Sequence, residues 1–98
     1  MRKLFISHSM NGRSEDEILR ERGVLIERAK EHFLGEKLEV LDSYFKDFKG
    51  NSLAYLGKSI ELLSEADIAA FGYGWEQARG CVIEHDCCVK YGIPVVEM

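Results

Sequence analysis

Short apolar runs alternate along this chain with longer stretches of helical periodicity, and that alternation limits the folds open to it more than any other feature. Lys3-Leu-Phe-Ile6 reads as a strand buried on both faces. A polar loop, Ser7 to Arg13, follows. Ser14 with Glu17 forms a capping box, and Glu15 and Asp16 add acid to a first helical turn. The helix they open runs to about Leu34, with Ile18, Leu25, Ala29 and Phe33 on one stripe helped by Leu19 and Ile26. Gly35 is a natural residue to stop it. Leu38-Glu-Val-Leu41 is a second strand, and Asp42 to Asn51, which has no clean period, is a loop with at most one helical turn. Leu53 to Glu65 is a second amphipathic helix carrying Leu53, Leu56, Ile60 and Leu63 on one side. Asp67 to Phe71 is a third strand, Gln77 to Tyr91 a third helix ended by Gly92, and Pro94 to Glu97 a last strand.

Strands that alternate with helices pair in parallel through right-handed crossovers. The expectation is an α/β, doubly wound (Rossmann- or flavodoxin-like) four-stranded parallel sheet in the order 2-1-3-4, flanked by helices, as one domain over residues 1–98. Ligands of such sheets bind beyond the carboxyl ends of the strands, at the switch point between the first and third. That rule brings Ser7 to Gly12 beside Gly72 to Arg79, the two most polar loops of the chain.

Composition narrows the partners. Hydrophobic residues at 46% and charged residues at 31% describe an ordinary globular chain. A net charge of −4 speaks against general binding of a nucleic acid polymer, which needs a basic face. No apolar run is long enough to span a membrane. Cys81, Cys87 and Cys88 are odd in number and crowded on one helix, which suits a reducing cytoplasm better than a disulfide framework. Cys81, His85 and Cys88 share a helical face, but a fourth ligand at sensible spacing is missing, so no metal is expected. No cofactor motif is present. The aromatic-rich segment Tyr44 to Tyr55 carries apolar area that one small core leaves uncovered, which predicts a homo-oligomer with that segment or the second helix at the interface.

The first loop offers Ser7, His8, Ser9, Met10, Asn11 and Gly12; its amides and the helix that follows suit a phosphate or ribose hydroxyls, or it is simply a capped loop. Gly74, Trp75, Arg79 and Gly80 belong to the second loop, and Arg79 has the fork geometry for an anion. Trp75, Tyr73 and Phe5 stack on a base or a second chain, or are core. Glu84, among Val82, Ile83, Cys87, Cys88 and Val89, is either partly desolvated and functional or on the wet face. Asp67, opening a strand, holds a sugar hydroxyl or lies in solvent.

Leu4-Phe-Ile-Ser7 with a polar loop ending at Gly12, Ala66-Asp67-Ile68, Gly80 followed by Glu84, and Tyr91-Gly-Ile-Pro-Val95 together resemble the nucleoside 2-deoxyribosyltransferase superfamily, which includes nucleoside 5′-monophosphate N-glycosidases. The likeness is greater to the small deoxyribosyltransferase-like proteins frequent in phage and prophage genomes, where Phe-Ile-Ser-x-x-Met-Asn-Gly and Gly-Trp-Glu-x-Ala-Arg-Gly-Cys-x-x-Glu-His recur. The resemblance covers nearly the whole chain. It implies that Glu84 attacks the anomeric carbon of a nucleoside or nucleotide sugar, through a glycosyl-enzyme ester, and that Asp67 positions the sugar or assists the leaving base. Two positions depart from the family: Phe5 stands where a β-strand tyrosine usually steadies the nucleophile, and Ala78 where transferases carry a base-contacting aspartate. The functions to separate are therefore cleavage or transfer at an N-glycosidic bond, non-catalytic binding of a nucleotide-like small molecule, and an interaction module with a relict pocket.

Overall fold

The computed structural model describes residues 1–10, 12–45 and 48–97. Its elements follow in the order β1 (Arg2–Ser7), α1 (Glu15–His32), β2 (Leu38–Val40), α2 (Ser52–Leu63), β3 (Ile68–Phe71), α3 (Arg79–Tyr91) and β4 (Val95–Glu97), with a 3₁₀ turn, Trp75–Gln77, ahead of α3. The four strands form one sheet in the order β2-β1-β3-β4, and every pair is parallel. The α/β alternation is thus realised with the expected strand order.

Parallel strands covered on both faces bury consecutive residues, and β1 and β3 do so. Leu4 and Ile6 of β1 and Ile68 and Ala70 of β3 pack with Leu25 and Ala29 of α1 on one face. Phe5, Ala69 and Phe71 pack on the other with Leu63 of α2 and Cys88 of α3. Full burial of side chains such as Leu4, Phe5 and Ile6 stabilises the fold by about 1.5–3 kcal/mol each. Phe5 is therefore core and meets no ligand.

The departures from the sequence reading sit at element ends and on helix faces. Ser14 caps α1 as expected, its Oγ accepting from the Glu17 amide at 3.2 Å. The α1 stripe, however, runs Ile18, Arg22, Leu25, Ala29, and Leu19 is 48% exposed. Arg22 follows Ile18 by one turn, and its long side chain carries the guanidinium past the sheet edge to donate to Ser43 Oγ at 2.9 Å. On α2, Leu53 is 76% exposed and Ser59 takes an inward position with Leu63. The third helix begins at Arg79 rather than Gln77, because the chain first makes the 3₁₀ turn and then returns to extended backbone at Ala78. Among the described residues, no helix is long and apolar enough to cross a membrane.

Candidate functional site

Ser7 is the last residue of β1 and lies on the same sheet face as Phe5, under α2 and α3. On that face it meets Glu84 of α3. Ser7 Oγ donates to Glu84 Oε1 at 2.6 Å, across 77 residues of sequence, and both groups are buried. Glu84 is 6% exposed. Burial raises its pKa above the ordinary 4.5, and hydrogen bonds from the Ser7 and Ser59 hydroxyls oppose that rise without cancelling it.

Above this carboxylate opens a cleft of about 960 Å³, beyond the carboxyl ends of β1 and β3. Its floor is Ser7, Ser59 and Glu84; one wall is the β1 loop, His8 to Met10; the other walls come from the β2–α2 connection and the start of α3. Glu84 is the only carboxylate among the described residues that line it. The Cys81 thiol also lines the cleft, but burial pushes it up to about 11, so it is protonated at neutral pH and no competing nucleophile. Cys88, in the core, is pushed up to about 12 by the same cause.

The rim at α3 suits an anion. Ala78 precedes the helix in extended backbone with no side-chain cap, and the first turn carries no acid. The amides of Arg79, Gly80 and Cys81 have no intrahelical acceptor there, and Arg79 and Gly80 line the cleft. Arg79 is exposed and has no ion-pair partner among the described residues. Of the two readings of the β1 loop and the helix after it, a seat for a phosphate or ribose hydroxyls and a simple capped loop, the cap is what the structure shows. The first turn of α1 already holds Ser14 as cap with Glu15, Asp16 and Glu17, and Arg13 is engaged by Glu21 and Glu17.

His8 is the odd member of the β1 loop. Its side chain is buried, with Nδ1 3.4 Å from the Ser9 carbonyl and 3.6 Å from Glu21 Oε1, while Nε2 has no hydrogen-bond partner among the described residues. Burial lowers its pKa below 6.5, so the ring is neutral. Gly72, which follows β3, makes this packing possible: a Cβ there would lie 2.7 Å from Glu21 Oε2 and 2.9 Å from His8 Cβ.

Of the residues expected in the site, Ser7, His8, Ser9, Met10, Arg79, Gly80 and Glu84 come together around the cleft. Asn11 lies outside the described residues. Gly12 is exposed and does not line the cleft. Gly74 opens the 3₁₀ turn with φ 80° and stays outside it too. Trp75 is turned away: its ring stacks on His85 at 3.9 Å and 9°, and His85 in turn bonds Glu97 at 2.6 Å. Asp67 is not brought to the cleft. It precedes β3 at the amino end of the sheet, where its Oδ2 accepts from the Lys3 amide at 2.8 Å. With the strand's length between them, it lies roughly 13 Å from the carboxyl edge. It ties β1 to β3 and cannot reach a ligand at Glu84.

Sequence reading missed Ser43, Tyr55 and Ser59. Ser43 Oγ accepts from Arg22 and donates to the Ile6 carbonyl at 2.8 Å. The Tyr55 hydroxyl accepts from the Phe45 amide at 3.2 Å and lies 3.4 Å from the Ser43 carbonyl. Burial raises the Tyr55 pKa, with the Phe45 bond opposing. The available signal was Ser59 itself, a small hydroxyl at the position between Leu56 and Leu63 where the helix period calls for an inward residue.

No protein-family model, curated protein or solved structure matches this chain.

The site's chemistry therefore has to be read from its own geometry. A buried carboxylate held by hydroxyls, at the bottom of a cleft with an anion-friendly rim, suits a small polar molecule that carries a negative group at one end and presents an electrophilic carbon or a hydroxyl to Glu84. Among the described residues no group of three metal-ligating side chains is assembled.

Proposed function

We propose that the protein cleaves or transfers at the N-glycosidic bond of a nucleoside or nucleotide, with Glu84 as the nucleophile. The observation that carries this reading is the Ser7–Glu84 hydrogen bond of 2.6 Å at the floor of the cleft. Ser7 and Ser59 do for this carboxylate what a tyrosine on β1 would do in the superfamily the sequence resembles, so Phe5 is no obstacle. A Glu84 oxygen attacks the anomeric carbon, the C–N bond breaks, and its electron pair leaves with the base, which takes up a proton. The resulting glycosyl ester is opened by water, or by the nitrogen of a second base, and Glu84 is regenerated. A substrate with a 5′-phosphate would direct it to Arg79 and the open α3 terminus.

A second reading, binding without catalysis, has one observation in its favour. With Asp67 at the far edge, Glu84 has no second carboxylate beside it among the described residues, whereas retaining glycosidases use a pair. Incubation with a panel of nucleosides and nucleoside 5′-monophosphates, followed by chromatography for free base, separates the two. Base release by the wild type and not by Glu84→Gln supports the enzyme; ligand-induced stabilisation without base release at any pH supports the binder. The same proposal includes a homo-oligomer. Leu53 of α2, the helix expected at the interface, is exposed at the cleft with Ile83 of α3, and light scattering showing a monomer at micromolar concentration would exclude that part.

A further inference from the structure

The glycosidic reading uses the floor of the cleft and its α3 rim but leaves the aromatic wall of the β2–α2 connection without a role. Phe48 lines the cleft and is half-buried. Its ring meets Tyr55 edge-on, with centroids 5.6 Å apart at 86°, and Tyr55 meets Phe45 at 5.2 Å. Lys58 Nζ sits 4.8 Å from the Phe45 centroid and 5.4 Å from that of Phe48. Tyr55 is itself tied down through the Phe45 amide and the Ser43 carbonyl. The Phe48 ring is therefore braced by groups that are fixed to the scaffold. It also occupies space that only a glycine leaves free: a Cβ on Gly50 would come within 2.8 and 2.9 Å of its Cε2 and Cζ.

We infer that Phe48 is the residue on which the base of a nucleotide stacks, so that the β2–α2 connection selects ligands carrying an intact aromatic base. This rests on the reading of the cleft as a nucleotide site. Every nucleobase has a π face, so stacking separates base-bearing ligands from abasic ones more sharply than it separates one base from another. A cation against an aromatic ring draws on its quadrupole, and Lys58 thereby leaves the opposite face of Phe48 a better partner for an electron-rich ring. Purines, with the larger overlap, bind ahead of pyrimidines.

The test is calorimetric binding of adenosine 5′-monophosphate, cytidine 5′-monophosphate and ribose 5-phosphate to the wild type, Phe48→Ala, Phe48→Leu and Gly50→Ala, with circular dichroism and Tm establishing that each variant folds. Phe48→Ala is expected to weaken adenosine 5′-monophosphate by roughly 5- to 150-fold, cytidine 5′-monophosphate by less, and ribose 5-phosphate not at all. Phe48→Leu, which keeps apolar volume without the π face, loses most of the same affinity. Gly50→Ala displaces the ring and loses less; these two variants carry the test if Phe48→Ala does not fold. Equal weakening of ribose 5-phosphate, or unchanged adenosine 5′-monophosphate binding in the folded Phe48 variants, overturns the inference while the nucleotide reading stands. Wild-type protein that binds none of the three probes overturns both.

Discussion

Two helix N-termini point at the same edge of the sheet and are finished in opposite ways. At α1 the chain supplies its own ligands: Ser14 caps the Glu17 amide, and Glu15, Asp16 and Glu17 sit in the first turn. At α3, Ala78 has the same extended backbone, with φ −107° and ψ 116°, but no capping group, and no acid follows. A side-chain cap stabilises a helix by about 1 kcal/mol, and a first-turn acid by about 0.3–1 kcal/mol. The α3 terminus forgoes both, and it is the terminus that lines the cleft above Glu84. The contrast separates a terminus used for folding from one left available to an anion.

The largest effect that can break this comparison is on chemistry. On the proposed glycosidic reaction, Glu84→Gln keeps the shape and removes the charge that attacks, so single-turnover base release should fall by orders of magnitude while calorimetric nucleotide binding largely survives. Base release by this variant at the wild-type rate removes the nucleophile assignment. Next comes Ala78→Asp, which gives α3 the cap that α1 already has. It should raise Tm and weaken nucleoside 5′-monophosphates by about 5- to 30-fold, since a fixed charge at the terminus opposes an incoming one by about 1–2 kcal/mol. Unchanged affinity would mean that the anion does not use this terminus.

The mirror experiment is smaller. Ser14→Ala should cost about 1 kcal/mol, or about 4–8 °C in Tm for a domain of this size, and leave base release alone. A loss of base release beyond the loss of folded protein would show that α1 belongs to the site.

Smallest is the pH dependence of stability. Burial raises the Glu84 pKa in the folded chain above 4.5, so between 4.5 and the raised value the folded state keeps a proton that the unfolded chain has released. Stability falls as pH rises through that window. Glu84→Gln should therefore be more stable than wild type in urea at pH 7, with the difference closing below pH 4.5. His8 slopes the other way. Its pKa lies below 6.5 when folded, so stability is lost as pH falls from 6.5 through the lowered value, and His8→Gln should flatten that decline. A Glu84→Gln protein that gains nothing at pH 7 would mean that burial does not hold the carboxylate at a cost.

Sequence by itself determined the layers, the strand order and part of the site. Short apolar runs and period-3.6 patterns are local, and a βαβα alternation admits few topologies, so β2-β1-β3-β4 follows from them, and with it the approach of the Ser7 loop to the start of α3. The same rule held the signal for Asp67: an acid that opens a parallel strand lies at the amino end, away from any ligand at the carboxyl edge. What only the tertiary structure decided is which side chains converge from distant elements. Trp75 is taken up by His85 on α3, Arg22 reaches Ser43 beyond the end of β2, and Tyr55 arrives from a helix whose apolar stripe gave no sign of it. Those pairings depend on how α2 and α3 cross the sheet and on the path of the aperiodic β2–α2 connection. No local periodicity encodes either, because the energies that set them come from packing between residues far apart in sequence.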